Sequence, residues 1–379
     1  MPLVIGGSVG NLKIVEKLVE RGHRVTVATP FYMDKEAIQK QYRIKLASFS
    51  PFYIDRYIPY RERKYMLYAF LYFFHLMRLL AKEKFDALLV RNCVLAAPCL
   101  LAGKFYRIPV FLSMTDFLSS FSYQNQRVPK VIVNILFGIE KWLANQSART
   151  FVISPRMKSE LERYRGANEK IAVTYDGVDV ESFDLKKIDA QTIERTRRDL
   201  GFQKNIVIYH GAIQLDAVSL FEEIIKTTLN KRELNFVIIG MGEGYSRLQA
   251  RLNQNRNVRF LGFIQHDDLP RFIAASNVGI IPYKRTFNSD VILTLKILEY
   301  LSMGLPVVSV NLASISQIFG RLPCVKISGD SEGFSNCIIE CLNAGRCQEA
   351  IEFIRKNFSW DAVTEKIAGE IELAVAKRR

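Results

Sequence analysis

Short apolar runs alternate with helix-like segments along the first half of the chain. Residues 3–5, 23–29, 87–90, 110–113 and 150–153 are rich in aliphatic, aromatic and β-branched side chains and read as strands. Residues 11–21 carry Leu12, Val15, Leu18 and Val19 at helical spacing, and Gly22 ends that pattern. The second half repeats the rhythm, with apolar runs at 205–209, 235–239, 258–261, 278–281 and 306–310. Strands that alternate with helices predict parallel sheets covered on both faces, an α/β fold.

The weakly apolar, charged stretch 184–204 reads as a linker followed by a short helix. It divides the chain into an N-terminal domain over 1–185 and a C-terminal domain over 186–360. A last helix, 360–377, is expected outside the second domain's sheet; residues 361–379 are assigned to it, with a return to the N-terminal domain expected. The 379 residues suit two domains at about 150 residues each. No internal repeat or low-complexity segment interrupts them.

Composition narrows the class. Apolar residues make up 49% and charged residues 24%, as in an ordinary folded protein. The six cysteines, Cys93, Cys99, Cys324, Cys337, Cys341 and Cys347, lack paired C-x-x-C spacing and read as small buried hydrophobes. The chain opens on an apolar strand with no secretory signal pattern, which leads us to expect a cytoplasmic protein. Net charge is +15, and residues 1–185 hold 27 Lys and Arg against 17 Asp and Glu. Such a basic half suits nucleic acid, an anionic membrane or phosphorylated substrates. Helix-turn-helix, RNP and zinc motifs are missing, so nucleic acid is the poorest of the three.

Residues 65–77 form an aromatic run with Arg61, Arg63 and Lys64 before it and Arg78, Lys82 and Lys84 after it. The run is shorter than the ~20 residues that cross a bilayer. It reads either as a buried helix on a sheet or as a helix whose aromatic face meets the membrane interface.

Two glycine clusters follow strands. Gly6-Gly7-Ser8-Val9-Gly10 precedes the first helix and reads either as a phosphate-approaching turn or as a tight connection. Gly240-Met241-Gly242-Glu243-Gly244 is spaced G-x-G-x-G, lies deep in the second domain, and does not fit a dinucleotide fingerprint.

The segment from Asn288 to Val308 carries the most chemistry. A helix is predicted to start between Asp290 and Leu295, with Asn288, Ser289 and Asp290 as capping residues. Lys296 and Glu299 share one face, Gly304 ends the helix, and Pro306 leads into a strand. A helix start at the carboxyl end of a parallel sheet is a ligand position. A cation beside a carboxylate suits a diphosphate and a ribose; the same spacing also describes a plain surface ion pair.

At these residues the chain resembles the retaining glycosyltransferases of the GT-B fold, in the family 4-like group and its "K-x-x-E-Y" branch. Arg21-Gly22-His23-Arg24-Val25-Thr26-Val27 resembles the family's R-G-H-x-V-x-V. Val152-Ile153-Ser154 with Lys158 and Leu161, and Asp176-Gly177-Val178-Asp179 with Phe183, resemble its V-x-S-x-x-x-K-x-x-L and N-G-V-D-x-x-x-F. Val258-Arg259-Phe260-Leu261-Gly262, Leu269-Pro270 and Ala274–Val278 follow in the family's order, and Glu299–Val308 matches the second half of its donor signature.

The resemblance implies two Rossmann-like domains facing a central cleft, with a nucleotide-sugar donor on the second and a hydroxyl acceptor on the first. That acceptor is a sugar, a lipid-linked glycan or a cell-surface glycan. It implies a hexosyltransferase-like enzyme with no cofactor and no metal, and the chain has no D-x-D triplet. On the donor side it implies Gly7, Gly211, Gly262, Phe263, Ile264, Asn288, Ser289, Asp290, Lys296 and Glu299, with Glu299 on the ribose. On the acceptor side it implies Gly6, Gly7, Gly10 and Asp116, and it gives Asp116 and Lys296 catalytic roles.

The chain departs from the family at two places. Val291 stands where the family has a glutamate eight positions before Glu299, and residues 211–218 lack the family's Arg and Lys. Lys296, Lys284 and Arg285 are candidate replacements. A non-catalytic GT-B scaffold or glycan-binding subunit is the alternative. A lipid-linked acceptor would add peripheral contact with the cytoplasmic face of a membrane.

Overall fold

A computed structural model describes residues 6–29, 48–51, 65–91, 93–117, 119, 129–163 and 169–377. Two compact units emerge. One runs to Asp176 and resumes at Trp360; the other is Gly177–Ser359.

The first unit opens with α1 (Gly6–Glu20), β1 (Thr26–Thr29) and β2 (Ser48–Pro51), and the two strands pair in parallel. It continues through α2 (Tyr65–Lys82), β3 (Leu88–Arg91), α3 (Cys93–Tyr106), β4 (Val110–Met114), α4 (Lys130–Gln146), β5 (Arg149–Val152), α5 (Pro155–Glu162) and β6 (Ile171–Val173). β3, β4, β5 and β6 lie side by side, all parallel. Every residue of β4 is buried, as a central parallel strand requires. Ser154 starts α5 by accepting a hydrogen bond from the Met157 amide at 3.0 Å.

The second unit holds α6 (Ala190–Leu200), β7 (Ile206–His210), α7 (Val218–Lys231), β8 (Asn235–Ile239), α8 (Glu243–Leu252), β9 (Val258–Gly262), α9 (Leu269–Ala275) and β10 (Val278–Ile281). It ends with α10 (Phe287–Val291), α11 (Leu295–Ser302), β11 (Val307–Val310), α12 (Ala313–Phe319), β12 (Val325–Ser328), α13 (Ser331–Cys341) and α14 (Gln348–Phe358). The sheet order is β12-β11-β10-β7-β8-β9, again parallel throughout. The chain winds outward from β7 to β9, then returns to β7's other side at β10. That reversal makes the carboxyl ends of β7 and β10 a topological switch point.

The last helix, α15 (Trp360–Ala376), belongs to the first unit. Its Trp360, Val363 and Ile367 join Ile14, Phe111 and Phe151 in one core, with the two phenyl rings stacked 6.2 Å apart. The second unit's own ends meet: Val178 pairs with Ser359, and the Val178 amide donates to the Phe358 carbonyl at 2.8 Å. The division therefore falls at Asp176, where Val178 and Phe183 are already packed within the second unit, and not at the charged stretch after 184.

Strands 235–239 and 278–281 have the residues that the sequence pattern gives. The pattern at 3–5 lies outside the described residues. The pattern at 23–29 pairs only from Thr26. β2, β6 and β12 are not anticipated, because each is only three or four residues long and β2 and β12 are interrupted by Ser or Lys. The six cysteines are free, and four are buried, as small hydrophobes would be.

Candidate functional site

Three glycine-bearing turns lie together at the carboxyl ends of β7, β8 and β9. The Gly211 amide donates to the Ile239 carbonyl at 2.9 Å, and the Gly240 amide donates to the Gly262 carbonyl at 2.8 Å. The Ile213 and Met241 backbones are joined the same way at 2.9 Å. The approach is close enough to need glycine. A Cβ on Gly240, which has φ +140°, would stand 2.0 Å from the Gly211 carbonyl oxygen. The G-x-G-x-G run is thus a packing device between neighbouring turns, which agrees with its failure as a dinucleotide fingerprint.

Lys296 projects from the first turn of α11 toward this floor, and it is 5% exposed. Its Nζ donates to the Tyr283 hydroxyl at 2.5 Å and the Tyr209 hydroxyl at 3.3 Å. The ammonium also lies 4.4 and 4.3 Å from the centroids of those rings, a cation–π setting. Burial raises the Tyr283 hydroxyl pKa, but the adjacent ammonium outweighs it and leaves the value lowered. Among the described residues no carboxylate pairs with Lys296. Gly211, at φ +119°, leaves the space that its ammonium occupies: a Cβ there would sit 3.0 Å from Nζ. The result is a buried cation with neutral partners, which an anion entering at the switch point would neutralise.

One helical turn on, Glu299 is 6% exposed. Its Oε2 lies 3.0 Å from His210 Nε2 at the end of β7, close enough for an ion pair although poorly aligned as a hydrogen bond. Its Oε1 lies 2.8 Å from Nε2 of His266, which follows β9. Burial alone raises the carboxyl pKa, but the two histidines hold it well below the ordinary range. His266 is partly shielded from water, which lowers its pKa, and the Glu299 carboxylate more than restores it, leaving the ring's pKa raised. Phe183 packs edge-on against His266 with centroids 5.1 Å apart. Lys296 and Glu299 are therefore not an ion pair with each other, and neither is a surface group.

Gly262 has φ +69° and open space where a Cβ would be, and its amide donates to the Tyr245 hydroxyl at 2.7 Å. Phe263 beside it is half exposed, and Ile264 is partly buried.

The 288–290 stretch differs from the sequence reading. Asn288, Ser289 and Asp290 do not cap α11; they lie inside the separate short helix α10, and Thr294 precedes α11. Ser289 completes a reciprocal capping box with Thr286. Asp290 accepts the Ala313 amide at 3.0 Å, which holds the start of α12, and it also accepts from Arg285. Lys284 and Arg285 are exposed.

In the first unit, Gly6, Gly7 and Gly10 are all within α1, so the glycine cluster is the helix's first turns and not a turn ahead of it. Gly10 is a close-approach position: a Cβ there would meet Trp360 at 2.9 Å and Arg91 at 3.4 Å. Arg91, the last residue of β3, forms an ion pair of 2.5 Å with Asp176. Asp116 follows β4, and burial raises its carboxyl pKa despite the lowering influence of Arg91. Arg91 and Asp176 were not singled out for chemistry from the sequence; their neighbours Asp116 and Gly10 were. His210 and His266 also passed unassigned, because a lone histidine after a strand carries no periodic signal.

The parallel sheets and the topological switch point give the chain two Rossmann-like α/β units, the architecture of the GT-B fold. Residues 4–182 match the family described as Glycosyltransferase Family 4, and residues 204–344 match Glycosyl transferases group 1. The two stretches together span most of the chain, which belongs to these glycosyltransferases.

Among curated proteins, it is 27% identical over 161 residues to a teichuronic acid biosynthesis glycosyltransferase of Bacillus subtilis, covering 41% of this chain and 38% of that one. It is 30% identical over 122 residues to O-antigen chain mannosyltransferase B of Escherichia coli, covering 31% and 30%. The match to the sulfoquinovosyl transferase of Arabidopsis thaliana is 26% over 253 residues, covering 63% and 47%. The matches thus span less than half the length of these relatives. Among solved structures, Anabaena HepE in complex with UDP is similar with a TM-score of 0.71, 16% identity, and 97% and 96% of the two chains covered. Sucrose-phosphate synthase of Thermosynechococcus elongatus gives 0.76, 13% identity, 98% and 94%. At these identities the likeness is one of fold.

Proposed function

We propose that this chain transfers a hexose from a nucleotide-sugar donor to an acceptor hydroxyl with retention at the anomeric carbon. The observation that carries the reading is the pair three residues apart on α11: a buried ammonium without a carboxylate partner and a buried, ionised carboxylate. The ammonium suits the donor diphosphate, and the carboxylate suits two ribose hydroxyl hydrogens. The open backbone at Gly262, with Phe263 and Ile264, would border the base.

In the transfer, the bond between the anomeric carbon and the diphosphate oxygen breaks and its electron pair leaves with the nucleotide diphosphate. The acceptor oxygen bonds to the same face of that carbon and gives up its proton. Lys296 stabilises the departing charge most in the transition state, which is what accelerates the step. It stands where residues 211–218 lack the family's Arg and Lys, so that loss does not by itself favour a non-catalytic scaffold. The same cation serves in place of a divalent metal, so activity should survive chelation. Asp116, with its raised pKa, would orient or deprotonate the acceptor. A lipid-linked or cell-surface glycan fits the teichuronic acid and O-antigen relatives. With such an acceptor, the protein would act at the cytoplasmic face of a membrane.

The deciding experiment follows thermal unfolding with UDP, GDP, ADP and their common sugar conjugates. A ligand at about 100 times its Kd stabilises the folded state by about 2.7 kcal/mol. A shift with one nucleotide, lost in Glu299→Ala, supports the reading. No shift with any of them leaves the scaffold reading in its place.

A further inference from the structure

We infer that the first unit docks on an anionic lipid bilayer through the outward face of α4, supported by α2 and α3. Six apolar side chains of α4 are exposed: Val131, Ile132, Ile135, Leu136, Ile139 and Trp142. They recur at helical spacing along one side, while Glu140, Leu143 and Ala144 turn inward. Val131 is 70% and Trp142 49% exposed, far more than an edge of a core would leave.

α3 packs against both α2 and α4, and the exposed apolar character continues on them. Phe70 and Phe74 of α2, edge to face at 4.9 Å, and Leu101 and Phe105 of α3 are all exposed. Surface hydrophobes scattered singly need no explanation, but this many on adjoining helices mark a docking surface.

Charge selects the occupant. Arg78, Lys82, Lys104 and Lys130 are exposed on these three helices, and their only carboxylate, Glu140, is buried against Ser119. A second copy of the chain, paired through the same patch, would bring basic residues against basic residues. A surface of anionic headgroups complements them, with the apolar stripe entering the acyl boundary and Trp142 at its edge. No helix among the described residues is long and apolar enough to cross a bilayer, so the contact lies in the interface plane. The aromatic run at 65–77 supplies only part of this face; its Tyr72 and Leu76 are buried.

The test uses the full chain without nucleotide, so it is independent of the donor reading. Flotation with vesicles of phosphatidylcholine plus phosphatidylglycerol is compared with flotation on phosphatidylcholine alone. The protein should float with the anionic vesicles and stay behind with the neutral ones. Trp142 emission should shift to the blue while the buried Trp360 serves as a constant background. The double variant Ile135→Ser, Ile139→Ser, with unchanged circular dichroism and melting, should lose at least about tenfold in vesicle partitioning. Lys104→Glu with Lys130→Glu should weaken binding to the anionic vesicles. Absence of flotation, or equal flotation of the Ile135→Ser, Ile139→Ser variant, overturns the inference. So does a dimer in sedimentation that this same variant dissolves, since the face would then belong to a second copy.

Discussion

His266 Nε2 stands 2.8 Å from Glu299 Oε1, so the carboxylate proposed to receive the donor ribose is already engaged by a histidine. His266 is more than half exposed and follows a strand, so it can leave; Glu299 is buried and cannot. On that proposal, donor binding would compete with a titratable group. The His266 pKa is raised, so its contribution is full below 6.5 and is lost as pH rises through the higher folded value. Glu299 is the opposite case: its lowered pKa gives stability that is present above 4.5 and lost as pH falls through the folded value. Nucleotide affinity should accordingly tighten as His266 deprotonates, by up to about tenfold per pH unit. Isothermal titration across neutral pH checks this. His266→Gln should flatten the profile, and an unchanged slope in that variant would remove His266 from the competition.

Removing the buried ammonium tests the diphosphate assignment. Lys296→Met keeps the volume and discards the charge, so the fold should survive while turnover falls by roughly 100-fold or more. Tyr283→Phe should act the other way. It keeps the cation but strips one of its hydrogen-bond acceptors, costing about 1–3 kcal/mol of stability. Denaturant melts paired with turnover measurements separate the two effects.

Two glycines of the floor should respond differently to alanine. Gly211→Ala places a methyl group beside the Lys296 ammonium, where a flexible side chain can shift. We expect a loss of about 1–3 kcal/mol, combined with weakened nucleotide binding. Gly240→Ala drives a Cβ into backbone, 2.0 Å from the Gly211 oxygen, and should cost more and unfold the unit at lower temperature. Thermal melts with and without nucleotide distinguish strain at the site from strain in the frame.

In the first unit, Arg91→Ala leaves Asp176 without its ion-pair partner in a nearly buried setting. A loss of roughly 3 kcal/mol is expected. Asp116→Asn, by contrast, should spare stability and nucleotide binding while lowering kcat. Loss of nucleotide affinity in Asp116→Asn would argue against its acceptor role.

Much of this was legible in the chain. Aliphatic runs such as 235–239 and 278–281 are buried on both sides, so composition alone marks them. Lys296 and Glu299 were singled out by helical spacing and family pattern and do share one buried helix, and Gly304 ends that helix at φ +64° as a left-handed stop should. What remained hidden is long-range. Glu299 meets His210 and His266 from two other strand ends, and Asp290 is spent on capping α12. Such pairings depend on sheet order, which no local window contains. The apolar face of α4 was missed for a related reason: a buried and a bare hydrophobic helix have the same letters, and only neighbours tell them apart.

The backbone pairing of Val178 with Ser359 makes the second unit, by connectivity, an insert whose two ends are adjacent in space. Domains with neighbouring termini tolerate excision and circular permutation. Residues 177–359 should thus fold as an autonomous nucleotide-binding fragment, with Lys296, Glu299 and both histidines in place. The converse does not hold: cutting the chain after Ser359 removes Trp360, Val363 and Ile367 from the first unit's core. A short truncation at the C-terminus would damage the half of the protein that is most distant in sequence.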